Sequence, residues 1–143
     1  MKVTKEVTFD SAHMLSNYSG KCENLHGHTY KLQVSIDAPL QSKGNEECMV
    51  VDFNTLKKAM DDVTASFDHA IIFSDPAYRC EAEDALYDWA EKYGMNFVVI
   101  EGKSTSENIA LRIWSMTTGV FHNIEAGNIH VKVWETPTSC AEV

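Results

Sequence analysis

Several features of membrane and secreted proteins are missing from this sequence. Its 143 residues contain no apolar run near the roughly 20 residues that a membrane-spanning helix needs. The first ten residues, MKVTKEVTFD, lack the apolar segment of a secretory signal. The four cysteines form no CxxC pair, which favours free thiols over disulfides. We therefore expect a cytoplasmic, soluble protein.

Positive charge is also scarce. Twelve basic side chains face 21 acidic ones, for a formal net charge of −9, and no cluster of lysine and arginine is present. Proteins that bind nucleic acids usually carry a basic stripe that neutralises phosphates. DNA or RNA is therefore excluded as a main partner. A small anionic ligand could still bind beside a local cation, because local charge can oppose the net charge.

Glycine and proline are few, with seven and three residues, and the chain has no repeat, low-complexity tract or linker. The length suits one domain, and 44% hydrophobic residues suffice for an ordinary core. We expect a single domain that spans residues 1–143.

Alternating apolar positions predict the strands. A period of two marks a half-buried strand over residues 2–13 and a second over residues 26–38. Further strands are predicted over residues 96–101 and 128–136, the last with Ile129, Val131, Val133 and Glu135 on one face.

Helical spacing predicts three helices between these strands. The first begins after Asp52 or Asn54 and carries the apolar positions through Phe67. The second runs over 81–93 and turns Trp89 and Tyr93 inward, among other residues. The third opens at a capping box with Ser104 as its N-cap and ends near Gly119. The order of elements predicts an α+β fold with helices on one side of a sheet.

The most informative motif is His26-Gly27-His28. In a strand, residues two apart point the same way, so both imidazoles can converge on one metal ion. His13 ends the preceding strand with the matching parity. Three histidines with an open fourth position are typical of a catalytic zinc site, whereas the alternative is a set of ordinary strand histidines.

Cys22 lies four residues before His26, in the connection between the two strands. It could be a fourth ligand that closes the metal site, a thiolate base that stays off the metal, or a buried spectator. Spacing alone leaves these alternatives open.

Two acidic positions add to the candidate site. The pair Asp68-His69 follows the first helix and could supply an oriented imidazole, or it could be a solvated turn. Glu135 continues an apolar strand face, and a buried carboxylate must be hydrogen-bonded. A ligand edge with two parallel N–H donors would satisfy it; the alternative is a glutamate turned to solvent.

The chain resembles the family of 6-pyruvoyltetrahydropterin and 6-carboxytetrahydropterin synthases. The resemblance covers nearly the whole sequence, and its most specific element is the CxxxHGH motif with an upstream histidine. The segments that carry it stand in the family's order: Phe9-Asp10-Ser11-Ala12-His13, Cys22-Glu23-Asn24-Leu25-His26-Gly27-His28, Val50-Val51-Asp52-Phe53, Phe67-Asp68-His69, Thr105-Ser106-Glu107-Asn108 and Trp134-Glu135-Thr136.

This resemblance implies a T-fold, with a four-stranded antiparallel sheet and helices packed on one face. It also implies trimers that stack into homohexamers, with active sites between subunits. By the same resemblance, zinc is bound by three histidines, which here are His13, His26 and His28.

The remaining site residues are likewise implied by the resemblance. Cys22 matches the proton acceptor, Asp68 and His69 match its relay partners, and Glu135 matches the residue that anchors the pterin ring. The stretch that helps to hold the pterin corresponds to Thr105, Ser106 and Glu107.

The implied substrate is 7,8-dihydroneopterin triphosphate. The implied activity is that of a lyase that makes 6-carboxy-5,6,7,8-tetrahydropterin, acetaldehyde and triphosphate for queuosine biosynthesis. Alternatives are a 6-pyruvoyltetrahydropterin synthase, a folate-pathway variant that makes 6-hydroxymethyldihydropterin, and a non-catalytic zinc- or pterin-binding assembly protein.

Two positions depart from the family's pattern. Glu23 directly follows Cys22, and some relatives use a glutamate there for the folate-pathway cleavage; an exposed loop glutamate is the alternative. Ser104 stands where many relatives have proline. Lys21, Lys103 and Arg112 are candidates for contacting the triphosphate.

Overall fold

A long β-hairpin forms the centre of the computed structural model, which describes residues 1–143. Strand β1 (Lys2–His13) pairs antiparallel with β2 (His26–Asp37) along the full length of both strands. Their register places His13 directly opposite His26 and Ser11 opposite His28. Both predicted strands are confirmed.

Four shorter strands complete a mixed sheet with the order β4-β3-β1-β2-β5-β6. On one side, β3 (Ala70–Phe73) runs parallel to β1, and β4 (Phe97–Val99) runs parallel to β3. On the other side, β5 (Ile129–Thr136) and β6 (Ser139–Glu142) continue the antiparallel ladder.

The expected four-stranded antiparallel sheet is therefore corrected to six strands with two parallel pairings. Strand β3 is a run of four apolar residues, which has no alternation because a parallel strand is covered on both faces. Strand β6 is short, largely exposed and poor in β-branched residues, as sheet edges often are.

Three helices pack against the sheet: α1 (Phe53–Thr64), α2 (Glu81–Lys92) and α3 (Ser106–Val120). The α+β class is confirmed. Helix α1 begins as predicted, since the Asp52 carboxylate accepts hydrogen bonds from the backbone N–H groups of Asn54 and Thr55. Alternate positions of the central strands meet α1 and α3 in one core, formed by Phe9, Tyr30, Leu32, Val34, Ile36, Leu56, Met60, Val63, Ile109, Ile113, Val131 and Val133, among others.

The predicted inward face of α2 is partly wrong. Ala90 is fully buried, but Trp89 and Tyr93 are 47% and 57% exposed. The helix lies against β3 and β4 through Tyr87, whose ring contacts Phe73 and Phe97. This contact turns the other two aromatic rings toward solvent.

The N-cap of α3 is also corrected. Ser104 is fully buried and its hydroxyl donates to the Met14 carbonyl, so that it cannot cap the helix. Thr105 takes this position, and its hydroxyl accepts from the backbone N–H of Asn108 at 3.5 Å. No helix in the structure combines the length and apolarity that crossing a membrane demands.

Candidate functional site

Three imidazoles converge at the end of the central hairpin, and we call them the imidazole cluster: His13, His26 and His28. Their ring centroids lie 4.6 to 5.4 Å apart. The hairpin register accounts for this arrangement, since His13 and His26 are opposite each other and His28 follows two residues later on the same face.

The nitrogens of the imidazole cluster are arranged as metal ligands require. The Nδ1 atom of His13 lies 2.6 Å from the Ser104 carbonyl oxygen, and that of His26 lies 2.8 Å from the Asn24 carbonyl oxygen. A carbonyl can only accept, so each Nδ1 carries the proton and each Nε2 presents a lone pair in the neutral ring. The three Nε2 atoms of the cluster are buried and have no hydrogen-bond partner.

Burial also favours the uncharged form of His13 and His28. Desolvation lowers the pKa of His13 and of His28 below the ordinary value of 6.5, against the opposing attraction of Glu135. A neutral imidazole is the form that binds a metal ion.

Glu135 lies beside the imidazole cluster. Its Oε1 atom lies 3.0 Å from His28 Nε2 and 3.7 Å from His13 Nε2, although the contact with His28 lacks hydrogen-bond alignment. Its other oxygen accepts a hydrogen bond from the Ser106 hydroxyl. Ligand atoms from the cluster and Glu135 all lie within 4.8 Å of one another, so the four side chains could hold a metal ion.

Cys22 sits in a 3₁₀ turn, Lys21–Glu23, that leads into β2. Its carbonyl accepts from the backbone N–H of Leu15, which ties the turn to the end of β1. The thiol is half-buried and is not part of the four-residue group that could hold a metal. Glu23, the next residue, is exposed.

Sequence reasoning did not assign a role to Tyr30, which lies beside the cluster on the same strand face. It is completely buried, its hydroxyl has no hydrogen-bond partner, and its ring lies 5.5 Å from that of His28. Burial raises the pKa of Tyr30 well above its usual value, and the negative charges of Glu135 and Cys22 add to the effect. The strand parity that groups Tyr30 with His26 and His28 was the available signal.

Asp68 and His69 lie outside the group of side chains that could hold a metal ion. His69 is largely exposed and borders a shallow cleft whose lining includes Asp10, Ala12 and Thr29 and also His28 of the imidazole cluster.

Asp68 and His69 nevertheless form an ordered pair. His69 Nδ1 lies 3.0 Å from Asp68 Oδ2, while Asp68 Oδ1 accepts from the backbone N–H of Asp10 at 2.9 Å. Both contacts lower the pKa of Asp68, the one with the Asp10 backbone more than the one with His69. His69 adopts a left-handed backbone conformation with φ of 54°, which its N–H bond to the Asp10 carbonyl supports.

The first turn of α3 contributes the other predicted residues. Ser106 contacts Glu135, Thr105 caps the helix, and Glu107 is exposed. Lys103 and Arg112 line an open cleft of about 810 Å³ together with Thr105, so two of the three candidate cations share one surface.

Comparison with known proteins identifies similar chains over nearly the whole length. Residues 2–143 match the family model described as 6-pyruvoyl tetrahydropterin synthase. The chain is 37% identical to the 6-carboxy-5,6,7,8-tetrahydropterin synthase of Haemophilus influenzae, over 99% of this chain and 96% of that protein. It is 30% identical to the protein of the same name from Rickettsia bellii, over 100% and 99% of the two chains.

Solved structures share the fold. A catalytic-residue mutant of Plasmodium vivax 6-pyruvoyltetrahydropterin synthase superposes with a TM-score of 0.75 at 22% identity, covering 100% of this chain and 96% of that one. The Caenorhabditis elegans 6-pyruvoyl tetrahydropterin synthase gives 0.67 at 24% identity, over 100% and 94%. The expected T-fold is confirmed.

Removing one imidazole tests the metal site. We expect His26→Ala to weaken binding of Zn²⁺ by about 100-fold or more, because even groups that only orient a metal ligand are typically worth roughly 10- to 100-fold. Competition with a chromophoric chelator measures this affinity. The matched control is His122→Ala, which removes an exposed histidine outside the cluster. Equal affinities in both variants would contradict the site.

Proposed function

Because the chain belongs to the 6-pyruvoyl tetrahydropterin synthase family, an enzyme family of lyases, we propose that it is a zinc-dependent 6-carboxy-5,6,7,8-tetrahydropterin synthase. It converts 7,8-dihydroneopterin triphosphate to this product and releases acetaldehyde and triphosphate, a step of queuosine biosynthesis in the cytoplasm. The observation that carries the proposal is the set of three buried, unpartnered Nε2 atoms in a chain whose relatives bear this name.

Zinc suits these ligands, because neutral imidazoles bind it with fixed tautomers and a carbonyl on the other ring nitrogen. A bound zinc ion would supply Lewis acidity, lowering the pKa of substrate hydroxyl groups beside it. The protein's own part is to hold three buried Nε2 atoms close to one another.

In the proposed chemistry, two residues, Cys22 and His69, carry protons. Cys22, as a thiolate, takes a proton from the side chain of the pterin. His69 shuttles a proton, and its Nδ1 contact with Asp68 leaves Nε2 free to do so. Glu135 accepts two parallel hydrogen bonds from the amino-pyrimidine edge. Ser106 donates to Glu135, and Thr105 and Glu107 in the same turn of α3 help to hold the pterin.

The position of His69 supports an assembly of several chains. In one chain, neither Asp68 nor His69 belongs to the group that could hold a metal ion, and the exposed His69 borders a cleft that His28 also lines. The proposed site that uses both sets combines two copies of the chain. We propose the homohexamer, a dimer of trimers with active sites between subunits.

Product analysis tests the proposed reaction. Purified protein loaded with Zn²⁺ is incubated with 7,8-dihydroneopterin triphosphate, and the products are identified by chromatography and mass spectrometry. Acetaldehyde together with the 6-carboxy product supports the proposal. A pyruvoyl product, or a hydroxymethyl product with a hydroxyaldehyde, would contradict the proposed reaction and identify the alternative synthase. Unchanged substrate would contradict it in favour of a non-catalytic binding protein.

Replacing the sulfur separates catalysis from metal binding. We expect Cys22→Ala to keep its Zn²⁺ and to lose turnover by at least about 100-fold, the usual contribution of a positioned base. Cys48→Ala, which changes an exposed thiol, is the control and should keep both properties. Normal turnover in the Cys22 variant would refute the assignment.

Glu135 has two possible partners, and one substitution distinguishes them. We expect Glu135→Gln to weaken pterin binding roughly tenfold to 100-fold with unchanged zinc content, because the amide presents one acceptor where the carboxylate presents two. Calorimetry with a pterin and metal analysis measure the two quantities. Zinc loss with unchanged pterin affinity would instead identify Glu135 as a metal ligand. Glu125→Gln, at an exposed position, is the control.

Mixing inactive variants tests the shared site. Cys22→Ala and His69→Ala are each expected to be inactive, but random mixed oligomers should recover roughly a quarter of the activity, since some interfaces pair two intact halves. Cys22→Ala mixed with His26→Ala should stay inactive, because both defects lie in the same half. Mixed oligomers of the first pair without activity would exclude a shared site.

A further inference from the structure

Glu83, in the first turn of α2, is a buried carboxylate that none of the proposed roles explains. Its side chain is completely inaccessible and forms no ion pair with lysine, arginine or histidine. One oxygen accepts from the backbone N–H of Ser74 at 2.7 Å, and the other accepts from the Ser16 hydroxyl. Burying a carboxylate is costly unless such bonds compensate it, so its presence calls for a structural reason.

The bonds of Glu83 join three chain segments that are distant in sequence. Ser16 follows the end of β1, and Ser74 follows the end of β3, so Glu83 connects two neighbouring strand ends to α2. Ser16 also accepts from the backbone N–H of Cys80 at 2.9 Å, which fixes the start of the same helix.

A second set of buried hydrogen bonds continues from Ser74 to the imidazole cluster. The Ser74 hydroxyl accepts from the backbone N–H of Ser104 at 3.1 Å. The Ser104 hydroxyl donates to the Met14 carbonyl at 2.8 Å, and the Ser104 carbonyl accepts from His13 Nδ1 at 2.6 Å. All the side chains of this path, from Glu83 through Ser74 and Ser104 to His13, are at most 1% exposed.

Two cations lie close to the residues that bind Glu83. The Lys103 ammonium donates to the Ser16 carbonyl at 2.9 Å, and Arg79 Nε donates to the Ser74 carbonyl at 2.7 Å. Lys103 therefore binds the carbonyl of Ser16, whose hydroxyl donates to Glu83. Arg79 binds the carbonyl of Ser74, whose backbone N–H donates to Glu83.

We propose that Glu83 is a positioning residue for His13, a role that rests on the proposed metal site. By holding Ser16 and Ser74, it fixes Ser104, whose carbonyl keeps the proton on His13 Nδ1 and the lone pair of Nε2 directed at the metal position. Groups that orient a metal ligand in this way typically contribute roughly 10- to 100-fold to metal affinity.

Three variants at Glu83 and Ser74 test this role. We expect Glu83→Ala to weaken Zn²⁺ binding by roughly tenfold to 100-fold. Glu83→Gln should restore most of the affinity, because its amide oxygen still accepts from Ser74 while its NH₂ group faces the Ser16 hydroxyl. Ser74→Ala keeps the backbone bond to Glu83 and removes only the link to Ser104, so it tests the path even if Glu83→Ala does not fold. Glu81→Ala, an exposed acidic residue in the same helical turn, is the control.

A second measurement does not depend on metal. In the metal-free protein, ¹⁵N NMR of the histidine ring reports which nitrogen of His13 carries the proton. We expect the Nδ1-protonated form in the natural protein and a mixture of tautomers in both Glu83→Ala and Ser74→Ala. A natural protein that binds no Zn²⁺ would refute the proposed function, while the NMR result would still test Glu83. Folded variants with unchanged zinc affinity and an unchanged His13 tautomer would overturn the proposal.

Discussion

The candidate site depends on the convergence of three imidazole lone pairs at one end of a β-hairpin. The register of β1 and β2 sets where the rings stand, with His13 opposite His26. The carbonyls of Ser104 and Asn24 set which nitrogen faces inward. Neither constraint suffices alone, because a ring in the right place with the wrong tautomer would present a proton where a metal ion needs an electron pair.

Much of this arrangement could be predicted from local pattern. Alternation placed His13, His26 and His28 on the inward face of two strands, and the same parity directed Glu135 toward them. What parity could not supply were contacts between distant segments, such as the bond between His13 and Ser104, which are 91 residues apart. The hydroxyl of Ser104 shows the same limit: its pattern suits a helix cap, but tertiary packing uses it to hold the Met14 carbonyl.

Helix α2 also shows tertiary packing overriding the pattern of the sequence. Its acidic first turn reads as a solvated face, yet Glu83 is buried while Trp89 and Tyr93 are exposed. The available signal was the spacing of Glu83, Leu86 and Ala90, which places them on one side of a helix. Aromatic residues are usually buried, so the pattern favoured Trp89 and Tyr93 as core residues. Hydrogen bonds from Ser16 and Ser74 instead allow the Glu83 carboxylate to be buried.

The backbone of His69 has a consequence for the protein as a whole. A residue with a Cβ in the left-handed region is held there at a cost of about 1–3 kcal/mol, whereas glycine adopts it almost freely. This conformational cost falls on His69, an exposed residue in the connection between α1 and β3. Glycine at that position would remove this penalty together with the imidazole, so stability against unfolding and the presence of this ring are opposed at this turn.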